Sequence, residues 1–142
     1  MLRCILLTKI IFRHELSMKA RVAGLMGMVR LKIWPDGLAS LDGKEFDRKL
    51  FRIGFVSNSE LNEITNLSRK ADFYNLKSVY SRRSDAFDVC DYKLTIQNST
   101  TTKWVRWSSV SAEPIPEEFH DLAGYVSQIK ENLYNSPLGY GG

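Results

Sequence analysis

The stretch from Arg21 to Leu41, RVAGLMGMVRLKIWPDGLASL, constrains this chain more than any other. Val29, Leu31 and Ile33 alternate with Arg30, Lys32 and Trp34, the period of two that a half-buried strand requires. Pro35-Asp36-Gly37 then supplies turn chemistry. Proline presets one backbone angle, aspartate bonds its own backbone, and glycine accepts a positive φ. The segment reads as a glycine-bearing loop, a strand, a tight turn and a second strand. Such a hairpin carries one oily face and one basic, aromatic face.

Elements of the same two kinds follow on either side. Ile10, Phe12, His14 and Leu16 alternate with Ile11, Arg13 and Glu15, which predicts a first strand over roughly 8–16. Residues 1–7 extend that strand or fray from it. Residues 42–56 open on Asp42-Gly43, a turn signal, and Phe51, Ile53 and Phe55 then alternate as a short strand leading into a helix. Ser57 and Glu60 have the spacing of a capping box, and Leu61, Ile64, Leu67 and Ala71 recur on one face, predicting a helix over 58–72. Residues 80–91 are polar and read as a surface loop. Tyr92, Leu94 and Ile96 alternate with Lys93, Thr95 and Gln97; Asn98-Ser99-Thr100 turns, and residues 102–109 return as a second hairpin. In that returning strand Trp104 and Arg106 share one face and Val105 and Trp107 the other, so each face holds a tryptophan. Pro116-Glu117-Glu118 opens a last helix with its stripe at Phe119, Leu122, Val126, Ile129 and Leu133. The tail, residues 135–142, is glycine-rich and expected to fray.

The elements sum to an α+β fold. They predict a single antiparallel sheet of about four to five strands with two helices packed on one face. The chain has 142 residues, enough for one domain spanning 1–142. Charge is unevenly placed: residues 1–34 carry seven Lys/Arg against one Asp/Glu, and residues 113–142 carry one Lys against five Asp/Glu. The two ends either meet within the fold or present a basic patch to an acidic partner. Cys4 and Cys90 do not make a disulfide framework; they allow one bridge, but reduced thiols are the preferred reading, and the cytoplasm is the expected compartment. Residues 1–12 are oily but are split by Thr8 and Lys9, with no small-residue cleavage site after them. No run approaches a membrane span.

Few residues suggest chemistry. His14, His120, Cys4 and Cys90 are the only imidazoles and thiols and fall in no metal-binding spacing, so no metal or cofactor is expected. Asp85, Asp88 and Asp91 lack the ligand spacing of a calcium loop. Glu117, Glu118 and His120 could serve as acid-base groups, but acids at a helix start match the helix dipole, and no catalytic motif accompanies them. The chain is therefore not expected to be an enzyme. The outward face of the two hairpins is the better candidate. Arg30, Lys32, Trp34, Trp104 and Arg106 interleave basic and aromatic side chains, as a single-strand stacking platform requires. The plainer account of the same residues is a solvated sheet face with cross-strand and cation–π pairs.

In motif order the chain resembles the emfourin family of small bacterial proteins, inhibitors of thermolysin-like zinc metalloproteases such as protealysin. The glycine loop is Ala23-Gly24-Leu25-Met26-Gly27 and the turn Pro35-Asp36-Gly37. The helix runs from Ser57 to Leu67 and ends in Ala71-Asp72-Phe73-Tyr74-Asn75-Leu76. Asp88 stands four residues before Tyr92, Tyr92-Lys93-Leu94-Thr95-Ile96 forms the strand, and Val105-Arg106-Trp107 precedes the proline-started helix. The likeness covers roughly residues 8–134. It departs at Arg21-Val22, where relatives carry a glycine pair, and in the long 42–56 and 77–87 stretches. The resemblance implies a protein partner, a metalloprotease, approached by Gly24, Gly27 and the neighbouring strand ends.

Overall fold

A computed structural model describes residues 7–17, 27–45, 48–81, 89–98 and 100–136. Six strands form one antiparallel sheet: β1 (Leu7–Ser17), β2 (Gly27–Ile33), β3 (Leu38–Glu45), β4 (Arg48–Phe55), β5 (Val89–Asn98) and β6 (Thr102–Ser108). Two helices accompany them, α1 (Asn58–Lys70) and α2 (Glu117–Tyr134). The spatial order is β4-β3-β2-β1-β5-β6. The chain meanders from β1 out to β4. It then crosses the sheet through α1 and lays β5 on the other side of β1. β1 is thus central, paired with β2 on one side and β5 on the other, and Ile10 within it is 1% exposed.

The β2–β3 turn forms as its residues dictate. The Gly37 N–H donates to the Trp34 carbonyl and the Trp34 N–H to the Leu38 carbonyl, both at 2.9 Å. That leaves a three-residue loop in which Gly37 takes φ +94°. A Cβ there would lie 2.5 Å from the Val56 carbonyl oxygen, which itself is held close because the Val56 N–H donates to Gly37. The Asp36 side chain accepts from the Leu38 N–H.

Six strands form rather than four to five, because the short alternating segment after residue 50 is a full strand, β4; Asp42-Gly43, read as a turn, does not turn the chain. Both residues lie inside β3, paired with Arg30 and Val29 of β2 and with Phe51 and Leu50 of β4. The reversal falls two residues later, between Glu45 and Arg48. The alternation at Phe51, Ile53 and Phe55 becomes a full edge strand.

The capping box at the start of α1 is complete. The Glu60 N–H donates to Ser57 Oγ, and the Ser57 N–H donates back to Glu60 Oε1. The helix ends where Asp72 adopts φ +52°, a left-handed conformation that aspartate tolerates better than most residues. Phe73 follows, fully buried. α2 starts after Pro116, whose carbonyl accepts from the Phe119 and His120 N–H groups. Its stripe holds Phe119, Leu122, Val126 and Ile129, as periodicity predicts, and also buries Lys130, which pairs with Glu131.

Register decides which face is the core. Leu31, Ile33, Ala39, Leu41, Leu94 and Ile96 share one face and are almost fully buried against Ile64 of α1 and Phe119, Leu122 and Val126 of α2. Val105 and Trp107 lie on that face too, so Trp104 and Arg106 point away from the helices. Residues 78–80 cover part of the β6 edge: the Arg106 N–H donates to Ser78 and the Tyr80 N–H to Arg106. Among the described residues no helix is long and apolar enough to cross a membrane.

Candidate sheet-face interface

Both helices pack on one side of the sheet, and the opposite side carries the candidate interface. Cross-strand register sorts its residues into rows. One row runs Phe51, Asp42, Arg30, Arg13, Lys93, Arg106 from β4 to β6. The next runs Ile53, Ser40, Lys32, Ile11, Thr95, Trp104. Neighbouring strands lie roughly 4.8 Å apart, so β2 and β6 stand roughly 14 Å from one another across this surface.

The candidates from the sequence separate into two groups on this surface. Trp104 and Arg106 lie together on β6, joined by Lys93 of β5. The Lys93 ammonium sits 4.9 Å from the Trp104 ring centre and the Arg106 guanidinium 5.9 Å from it. Arg30 and Lys32 lie three strand spacings away on β2, and Arg30 is paired with Asp42 of β3, Nη2 to Oδ2 at 3.2 Å. Trp34 stands one residue beyond β2 and is half-buried against the turn. Gly27 is the first residue of β2, paired with Leu16 and Glu45. Gly24 lies outside the described residues, as do Cys4, Asp85, Asp88 and most of the termini expected to fray, 1–7 and 135–142; of these, Leu7 of β1 pairs with Asn98, and the Asn135 and Ser136 N–H groups donate to the Glu131 and Leu133 carbonyls at the end of α2.

Sequence reasoning passed over the apolar end of this face. Phe51, Ile53 and Phe55 are 56%, 41% and 79% exposed, whereas the alternate positions Leu50, Arg52 and Gly54 face the helices. The usual assignment puts the apolar set of a strand inward. Here pairing with β3 fixes the opposite parity, because Leu41 is buried and stands opposite Arg52. A small residue at Gly54 suits the inner position, since a Cβ there would lie 2.6 Å from Leu133 Cδ1 of α2. The one hint in the sequence was that the set alternating with the three hydrophobics contains a glycine and an arginine.

The face is positively charged. It carries Arg30, Lys32, Lys44, Lys49, Lys93 and Arg106 against Asp42 and Asp91 at described positions. Large exposed apolar side chains at its two edges and cations between them are features of binding surfaces.

A separate cleft of about 380 Å³ opens on the helical side, between α2 and the segment after β6. Tyr92, Trp107, Glu113, His120 and Ser127 are among its lining residues. Glu113 is held below the ordinary carboxylate range because Lys77 and the Ser81 N–H donate to it. Tyr92, stacked on Trp107 with ring centres 5.2 Å apart, is pushed up to about 12 by burial and then by neighbouring Cys90. Glu117 and Glu118 are exposed on the first turn of α2 and are not among the cleft's lining residues. Among the described residues no cluster of His, Cys, Asp and Glu could hold a metal ion.

The Tyr92 phenol supplies a pH prediction. Its folded pKa lies above the ordinary 10.0, so the neutral form is favoured by folding. That stabilisation is fully present below pH 10 and is lost as pH rises towards about 12. Tyrosinate absorbance of the folded protein should show a step near pH 12 that Tyr92→Phe removes. If that step persists in the variant, the high-pKa tyrosine is another residue.

No protein-family model matches the chain, and no curated protein is similar to it.

Proposed function

We propose that this chain is a small protein-binding protein that takes its partner along β4. The observation that carries the reading is the exposed row Phe51, Ile53 and Phe55 on a strand at the sheet edge. A partner packing there removes those side chains from water, at roughly 25 cal/mol for each Å² of apolar surface covered. The outer backbone of β4 offers hydrogen bonds to an added strand. Lys44 and Lys49 beside the row favour an acidic partner surface. The resemblance to the emfourin family narrows the partner to a thermolysin-like metalloprotease, with the protein acting as its inhibitor.

Titration into a thermolysin-family protease with a chromogenic peptide tests this. Stoichiometric inhibition is the expected result. Replacing Phe51 and Phe55 together by serine should weaken it by about 30-fold or more, as loss of central apolar anchors does. Both side chains are exposed, so the variant keeps its fold. Inhibition that is unchanged in the double variant would remove β4 from the contact; no inhibition by the natural chain would remove the protease.

A further inference from the structure

We propose that the β2–β1–β5–β6 half of the uncovered sheet face binds single-stranded nucleic acid, with the strand lying across the β-strands rather than along them. This goes beyond the protein-binding reading and rests on different residues, two to five strands away from β4.

Three observations converge. First, one cross-strand row places Arg30, Lys93 and Arg106 in register on β2, β5 and β6. At roughly 4.8 Å per strand, the row spans roughly 14 Å, enough to follow a few successive phosphates of an extended chain. Second, Trp104 stands at the β6 end in the neighbouring row, 36% exposed, with Lys93 and Arg106 over its ring. An aromatic face bordered by cations stacks a base while the cations hold the phosphates on either side of it. Third, Lys32 lies on the same face of β2 in the row of Trp104, so the positive band is two rows deep. Two described carboxylates share this face: Asp42, which pairs with Arg30 at the β3 side, and Asp91, one row from Lys93 on β5. Lys93 and Arg106 are the cations that stand at the tryptophan.

Base edges have few reading partners here, since Thr95, Gln97 and Thr102 are the uncharged polar neighbours of Trp104 on this face. The binding is thus expected to tolerate sequence and to depend on salt. A duplex fits poorly, because its bases are stacked inside and out of reach of Trp104.

The test is fluorescence anisotropy of the full chain with a labelled oligothymidylate of about a dozen nucleotides. Binding should weaken with salt along a log–log slope of about −2, the value for about three phosphate contacts on a single strand. Arg106→Ala should flatten that slope by about 0.7. Trp104→Ala should weaken binding by about tenfold at fixed salt, and Trp104→Phe should restore most of the loss. The outcomes separate the alternatives. No binding at low salt overturns the proposal. Equal binding by Trp104→Ala, or equal affinity for a duplex or for heparin, overturns it as well, because only charge would then be acting. The Phe51, Phe55 double variant should bind the oligonucleotide as the natural chain does. Failure of the protease reading therefore leaves this one standing, and failure of this one leaves the protease reading standing.

Discussion

Phe119→Ala should cost about 3–5 kcal/mol and bring the protein close to its unfolding threshold at room temperature. Phe119 is fully buried at the start of α2. Its ring meets Trp107 of β6 edge-on, with centres 4.7 Å apart, and stacks on Phe73 at 6.1 Å. The three rings join α2, the sheet and the turn after α1, so no single element can move in to fill the space. The loss is the transfer energy of the ring plus an uncollapsed cavity. Chemical denaturation followed by circular dichroism reads the change as a shift in midpoint at unchanged slope. Phe119→Leu keeps most of the volume and should cost much less. If alanine and leucine cost the same, the ring cluster does not hold the two layers together.

Gly43→Ala should be the second most damaging change, at about 2–4 kcal/mol, although it only adds a methyl group. Gly43 lies in the middle of β3 at φ +156°. An added Cβ would sit 2.1 Å from the Met28 carbonyl oxygen and 2.8 Å from Val29 Cα. Those are backbone atoms of β2, held by their own pairing with β1 and β3. They yield only if the β2–β3 ladder opens. Gly124→Ala is the internal control. A Cβ there meets nothing within 4 Å, and alanine suits a helix better than glycine by up to about 1 kcal/mol. The two substitutions should move the thermal midpoint in opposite directions. A neutral Gly43→Ala would mean that β3 can relax at this point and that the register around Asp42 is softer than drawn.

The face proposed for binding draws on the same register. Arg52 faces the helices from β4 and its Nε is buried without a partner, while its Nη1 donates to the Phe51 carbonyl. An inward charge on an edge strand works against pairing of that strand with a copy of itself.

Much of the local structure was legible from sequence because it rests on short-range chemistry. Pro35-Asp36-Gly37 folds as its own residues dictate, Ser57 and Glu60 cap α1 reciprocally, and the periodicity of α2 marks the residues it buries. The alternation in 102–108 gave two faces but not which one is inside, since each carries a tryptophan. Pairing of Leu94 with Val105, and the ring of Phe119 against Trp107, decide it.

The sequence by itself determined the elements and the charges: an α+β chain with two amphipathic helices, a basic beginning and a tight hairpin. Only the tertiary structure decided the rest. It made β1 the centre of the sheet, kept Asp42-Gly43 within a strand, and turned the hydrophobics of β4 outward. It also brought Lys93 to Trp104 while tying Arg30 to Asp42. The physical reason is that spacing along a chain fixes which residues share a face, whereas the hydrogen-bonded register between strands distant in sequence fixes which face is buried and what stands beside it.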